Sequence, residues 1–409
     1  MGAKNVRLDT TAPQPLDERC CAMMDDRQGQ ATIIAIATGI PAGVIDQDVA
    51  AGVVQRLGIT KRWSKVLPKL YQKSGVLRRS SVLLGPDHLE ADLRQSFYQP
   101  PTESAPFGPT TAQRMDVYAQ HAGPLVTKTS RLAIERSGIE PSRITHLVTV
   151  SCTGFVAPGL DHALIQSLGL NGNIQRIHVG FMGCHAMVNG LRVAQAICQS
   201  DPKAVVLVGS VELCSIHQQY SEDPEQIVAN SLFSDGSAAA IVVPSGQADA
   251  MNRVGERWRM VSSLSLKIPD SAELMTWKIG DHGFEMTLSS QVPKRIEEEL
   301  RSPIEQWLGT HGISSADIGQ WVVHPGGPRI LDAVEQAIGL EPQRLKPSRD
   351  TLSNYGNMSS PTIVFIMEEI LRSLESQGSP NVAPWWLVLG FGPGLHAEAM
   401  LLERVYSET

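Results

Sequence analysis

The chain has 409 residues, 42% hydrophobic and 19% charged, enough to bury a large core in two domains or one duplicated domain. A formal net charge of -7 argues against a nucleic-acid-binding surface and points to small-molecule ligands or a second copy of the chain as partners. Six cysteines show no paired metal spacing and no dense disulfide framework, so no metal site is expected and a reducing, cytoplasmic setting is.

Residues 1–30 read as a polar leader with no apolar signal-peptide core. Cys20-Cys21 and Met23-Met24 carry no functional assignment there. The apolar run from Ala31 to Ala42 is broken by Gly39 and Pro41 and is too short to span a membrane. Lys65, Lys69, Lys73, Arg78 and Arg79 follow on what reads as a helical stretch; most such runs are solvated faces.

Two stretches then match at a near-constant offset. Gly138-Ile139, Ile144 and the strand Leu147–Val150 parallel Gly312-Ile313, Ile318 and the strand Trp321–Val323. Leu168-Gly169-Leu170 parallels Ile338-Gly339-Leu340, and Cys184 then parallels Asn357. Glycine commonly ends helices, but the constant order favours a duplicated unit. Ala204 to Val208, Ala238 to Val243 and Trp385 to Leu389 read as buried strands; Ile296 to Leu308 and Thr362 to Leu371 have helical periodicity. Alternating strands and helices predict an α/β fold. Pro244 to Asp249 reads as a loop, which places one half at 31–248 and the other at 249–409.

Cys184 lies in Gly180-Phe181-Met182-Gly183-Cys184-His185-Ala186, between a strand-like stretch and an amphipathic segment with Met187, Leu191, Ala194 and Cys198 on one face. A thiol at such a turn lies near the positive end of a helix dipole, which lowers its pKa from a free value of about 8.5. A single cysteine is more often a small buried hydrophobe. Two later segments change the balance: His324 ends the strand of Trp321-Val322-Val323-His324-Pro325-Gly326-Gly327, and Asn357 lies in the polar turn Ser353-Asn354-Tyr355-Gly356-Asn357-Met358-Ser359-Ser360-Pro361. Alone, the first is an ordinary structural histidine and the second a helix N-cap. With halves related by a pseudo-twofold, Cys, His and Asn converge.

These three segments, in this order and with Gly390-Phe391-Gly392-Pro393-Gly394-Leu395 near the C-terminus, resemble a type III polyketide synthase of the chalcone synthase-like branch of thiolase-type condensing enzymes. The resemblance runs over nearly the whole chain from about residue 30. It implies a thiolase-like, duplicated, layered α-β-α-β-α fold, a homodimer and no resident cofactor, coenzyme A thioesters being substrates. In that chemistry Cys184 takes the acyl-CoA starter, an imidazolium at His324 holds the thiolate, and His324 and Asn357 stabilise the enolate left when malonyl-CoA loses CO2. The extended chain cyclises to a pyrone, resorcinol or phloroglucinol-type product.

The resemblance also marks Phe233, in Asn230-Ser231-Leu232-Phe233-Ser234-Asp235-Gly236, as a gatekeeper between a CoA tunnel and the cavity. Cys152, Thr153, Cys214, Ile216, His217, Ala229, Met286 and Ser359 match cavity-lining positions, Gly392 and Pro393 match the cyclisation wall, and Lys69 and Lys73 match the grip on the CoA phosphates. Ala157, where plant members carry methionine, matches a segment that crosses the dimer interface into the partner's cavity. Cys152 and Cys214 stand where plant enzymes have threonines, and Met286 where they have a second gating phenylalanine, which speaks against a plant-like phenylpropanoid starter. The small Ala157 and Ala229 enlarge the expected pocket, so an aliphatic or otherwise non-plant starter is expected. The competing readings are a carrier-protein-dependent ketoacyl synthase of fatty-acid initiation, a Cys-His-Asn hydrolase, which would leave the duplication unexplained, and an inactive paralogue serving as a binding partner.

Overall fold

A computed structural model describes residues 30–85, 94–251, 255–377 and 383–407. The leader residues Cys20, Cys21, Met23 and Met24 lie outside them. The first half contains strands β1 (Ala31–Gly39), β2 (Val44–Asp46), β3 (Arg78–Ser80), β4 (His146–Ser151), β5 (Gln175–Gly180), β6 (Val206–Leu213) and β7 (Asp235–Pro244). Its helices are α1 (Gln47–Leu57), α2 (Leu67–Lys73), α3 (Thr111–Ser137), α4 (Leu160–Leu168), α5 (Ala186–Ser200), α6 (Pro224–Leu232) and α7 (Ser245–Ala250). The second half adds β8 (Gly255–Lys267), β9 (Met275–Gly280), β10 (Gly283–Leu288), β11 (Ile318–Val323), β12 (Trp385–Gly392) and β13 (His396–Ser407). Its helices are α8 (Val292–Glu299), α9 (Arg301–Gly309), α10 (Pro328–Ile338), α11 (Lys346–Tyr355) and α12 (Thr362–Gln377).

Nine strands form one mixed sheet in the order β11-β12-β13-β8-β1-β7-β6-β4-β5. Its halves repeat one topology: β1-β7-β6-β4 in the first corresponds to β8-β13-β12-β11 in the second. The join is narrow, since β1 and β8 pair only through Ala31–Met260, Thr32–Arg259 and Ile33–Trp258. Side-chain alternation along each strand then builds the layers. Val148, Val206, Ala240, Val322, Val388 and Met400 face a common core with Leu191 of α5 and Ile366 of α12, so these two helices form a central layer between the two half-sheets. On the opposite faces, Leu147, Leu207 and Ile241 pack against α3 and α4, while Trp321, Leu387 and Leu401 pack against α8, α9 and α10. The result is the five-layer α-β-α-β-α arrangement.

Local signals explain where the repeated helices stop. Gly138 and Gly312, and likewise Gly169 and Gly339, all sit at positive φ, where the missing Cβ relieves the clash that other residues would meet. Three expectations need correction. Residues 244–249 are not a loop: Ser245–Ala250 is α7, held by the Ser245 hydroxyl against Thr32 Oγ1 at 2.7 Å and by burial of Ala248. The helical stretch 296–308 is two helices meeting at Leu300. Of the basic run only Lys69 and Lys73 are helical; Lys65 lies in the turn before α2, and Arg78 and Arg79 lie on β3, paired with Asp46 and Ile45 of β2.

Candidate active site

Two turns carry the central side chains, one at each equivalent place in the repeat. After β5, Phe181 and Gly183 adopt positive φ, and a Cβ at Gly183 would come within 2.3 Å of Pro393 Cδ, so the turn closes only with glycine there. Cys184 follows in the single turn Gly183–His185 that leads into α5. In the second half, Gly356 ends α11 at positive φ and Asn357 makes a parallel bridge to Phe233 before α12.

The Asn357 carboxamide has a fixed orientation. Its Oδ1 accepts the Ser359 N–H at 2.8 Å, which turns the amide nitrogen away as a donor. That side chain and the Ser359 hydroxyl both favour the Cys184 thiolate. Burial outweighs them: with added repulsion from Glu212, it pushes the thiol up to about 11. His324, 1% exposed at the end of β11, is held through its backbone N–H to Leu389 O at 2.8 Å. Burial, with a smaller contribution from His185 beside the nucleophile, pushes its imidazole down to about 3. Neither ring nitrogen of His324 has a partner among the described residues. In both groups desolvation opposes the charged form, so burial works against the thiolate–imidazolium pair that the resemblance implies.

A cavity opens beside Cys184. Of the sequence-predicted positions, Cys152, Thr153, Cys214, His217 and Ala229 line it, as do Phe233, Met286, Ser359, Gly392 and Pro393. Ile216 does not; it packs in the outer core of the first half, and its carbonyl accepts from Arg114. His324 and Asn357, both buried, are not among the lining residues. Lys69 and Lys73 are exposed on α2 and also outside the lining, and Ala157 is exposed, away from its own chain's cavity.

The cavity has two contrasting sides. On one, the His217 ring stacks on Phe284 at 4.2 Å between centroids, and Trp277 meets both edge-on at 5.7 Å. Polar contacts lock this wall: His217 Nδ1 accepts the Phe284 N–H at 3.0 Å, Nε2–H donates to Thr153 O at 2.7 Å, and Trp277 Nε1–H donates to Cys152 O at 2.8 Å. Burial pushes His217 down to about 3, so it is neutral in this role. On the other side Ala50, Val53, Val54 and Leu57 of α1 meet Leu83 and Leu84 in an aliphatic arm.

Sequence reasoning missed Glu212. It is 0% exposed on β6 and accepts the Cys152 N–H and the Thr153 hydroxyl, each at 2.8 Å, and the Ser360 hydroxyl. Burial outweighs these donors and pushes it up to about 7. An acid inside the otherwise apolar or small run Val206–Leu213 was the available signal, because such a carboxyl must be paired or perturbed. Cys152 and Cys214 are pushed well above the ordinary thiol range by burial and then by Glu212.

Comparison with known proteins agrees with this fold. Residues 19–246 match the N-terminal domain of chalcone and stilbene synthases, and residues 259–406 match their C-terminal domain. The alpha-pyrone synthesis polyketide synthase-like Pks18 of Mycobacterium tuberculosis is 30% identical over 377 residues, 92% of this chain and 91% of that protein. Its Mycobacterium bovis counterpart matches to the same extent. Among solved structures, PKS-I from the brown alga Ectocarpus siliculosus has a TM-score of 0.85 at 29% identity, covering 93% of this chain and 100% of that one. The C-terminal type III polyketide synthase domain of Steely1, a type I/III hybrid from Dictyostelium, shares the fold with a TM-score of 0.78 at 24% identity, covering 92% of this chain and 99% of that one. The chain belongs to the chalcone and stilbene synthase family, the type III polyketide synthases, and is a condensing acyltransferase with the thiolase-like fold.

Proposed function

We propose that this synthase loads an aliphatic acyl-CoA on Cys184, extends it with malonyl-CoA and releases a pyrone-type product. The observation that carries the reading is Cys184 lining a cavity that also has an aliphatic arm formed by α1, with the Asn357 amide favouring its thiolate. His324 takes the thiol proton, the thiolate attacks the starter thioester, and CoA leaves as its thiol. Malonyl-CoA then loses CO2, and the bond's electron pair moves into an enolate whose oxygen is held by N–H donors of His324 and Asn357. The enolate carbon attacks the acyl-Cys184 carbonyl and expels the cysteine sulfur, and repetition builds the chain that cyclises.

A neutral carboxamide suits this step because it stabilises negative charge without offering an acidic proton to quench the carbanion. The reaction needs no resident cofactor or metal. The aliphatic arm of Ala50, Val53, Val54, Leu57, Leu83 and Leu84 supports an alkyl starter, and likeness to a relative named for alpha-pyrone synthesis supports a pyrone over resorcinol or phloroglucinol rings. Lys69 and Lys73 are the proposed partners of the CoA phosphates. A homodimer is proposed through the open β5 edge, where Ile177 lies exposed near Phe155 and Met182, with Ala157 reaching the partner's cavity. Among the described residues no helix is long and apolar enough to cross a membrane, and the four described cysteines are free, which fits a reducing cytoplasm.

The test is one incubation of the protein with labelled malonyl-CoA and a panel of acyl-CoA starters, read by mass spectrometry. Medium and long alkyl starters should give chain-extended pyrones. Release of free acid alone, product only after carrier protein is added, or p-coumaroyl-CoA outcompeting alkyl starters would each overturn the corresponding part.

A further inference from the structure

We infer that Arg79 is a positioning residue for the gate and, through it, for Asn357, distinct from the phosphate-gripping part of the basic run. Among the described residues it is the one Lys or Arg that lines the cavity. Its guanidinium lies 5.3 Å over the Tyr71 ring, and its Nη1 donates to Asn230 O at 2.7 Å and to Phe233 O at 3.4 Å. These carbonyls belong to the C-terminal end of α6, where the last turn lacks intrahelical donors and the helix dipole is negative. A planar cation in contact with both fixes the backbone from which the Phe233 ring projects.

The same backbone segment carries Asn357. Leu232 O accepts the Asn357 N–H at 2.9 Å, and the Ser234 N–H donates to Asn357 O at 2.9 Å. Carbonyls of Asn230, Leu232 and Phe233 thus join Arg79 from the first half to Asn357 from the second. Packing supports the arrangement, since a Cβ added at Gly356 would lie 3.4 Å from Arg79 Cγ. Lys69 and Lys73 have neither contact: they are exposed, and no ion pair is formed by either among the described residues.

The two roles differ kinetically. An anion-binding cation acts on ground-state affinity and appears in KM; a residue that sets the position of a transition-state donor appears in kcat. The inference rests on the roles proposed for Phe233 and Asn357. The experiment measures malonyl-CoA decarboxylation by Arg79→Ala and Arg79→Lys, each with and without millimolar guanidinium. Arg79→Ala should lose about ten- to a hundredfold in kcat with KM within about twofold, and guanidinium should restore part of the loss. Arg79→Lys should remain impaired because an ammonium cannot reproduce the planar fork, and it carries the same test if the alanine variant does not fold. A rise in KM with kcat intact, or no response to guanidinium in a folded variant, would overturn the inference. Failure of the underlying reading shows separately, as wild-type decarboxylation by Asn357→Ala.

Discussion

The turn before α5 and the turn before α12 occupy matching places in the repeated topology but present different kinds of group. The first offers a thiol that must lose a proton to act, and burial holds that proton on up to about 11. The second offers an amide whose orientation is set by the Ser359 N–H and which has no proton to gain or lose near neutrality. Duplication therefore supplied two similar platforms, one carrying a titratable thiol and the other an amide of fixed orientation.

The largest test of that division is Cys184→Ala, which should abolish chain extension by about a thousandfold or more while retaining some malonyl-CoA decarboxylation, measured as labelled CO2. Parallel loss of both activities would erase the distinction between the turns. Asn357→Ala should do the reverse to the first step, lowering decarboxylation by about 10²–10³ as expected for loss of one fixed donor. Decarboxylation equal to wild type would remove Asn357 from the mechanism.

A third measurement addresses titration. Because burial favours neutral Cys184 and neutral His324, inactivation by iodoacetamide should keep accelerating as pH rises from 6 to 9. A rate already level at pH 5 would reveal a resting ion pair, and with it a nucleophilic turn far less dependent on proton removal.

The smallest effect concerns the carboxyl beneath the nucleophile. The folded-state value of Glu212, about 7, lies above its ordinary 4.5, so the unfolded chain releases this proton first as pH rises. Its contribution is most favourable below the ordinary value, and stability is lost between about pH 4.5 and 7. Glu212→Gln should remove about 3 kcal/mol of pH dependence across that window, seen as a flatter pH profile of the variant's own unfolding free energy than of the wild type's. An unchanged slope would mean that Glu212 is ionised as readily inside the fold as outside it.

Much of this architecture was legible in the chain. The repeated glycine–strand landmarks identified corresponding elements because left-handed helix ends require the same residue each time. Cys184, His324 and Asn357 stand out in the sequence because each interrupts an apolar pattern with a reactive or polar group at an element's end, and each does lie at such an end. The cavity's two sides were not. Trp277 and Phe284 come from the β9–β10 hairpin and Ala50 and Val53 from α1, segments whose apolar residues read simply as core until the chain brings them together. Ile216 misled for the opposite reason: it lies between two lining residues, Ser215 and His217, yet the turn Cys214–His217 directs it outward.

Ser359 has a consequence for how this enzyme can diversify. Its φ of 58° puts a side chain other than glycine in the left-handed region, where β-branched or bulky replacements carry a strain of about 1–2 kcal/mol. Evolution or engineering is thus poorly placed to remodel the wall at Ser359, whereas Ala50 and Val53, on an ordinary helix and lining the arm, meet no such backbone limit. Variation in product length should accumulate at the far end of the arm while the chemistry beside the sulfur stays constant.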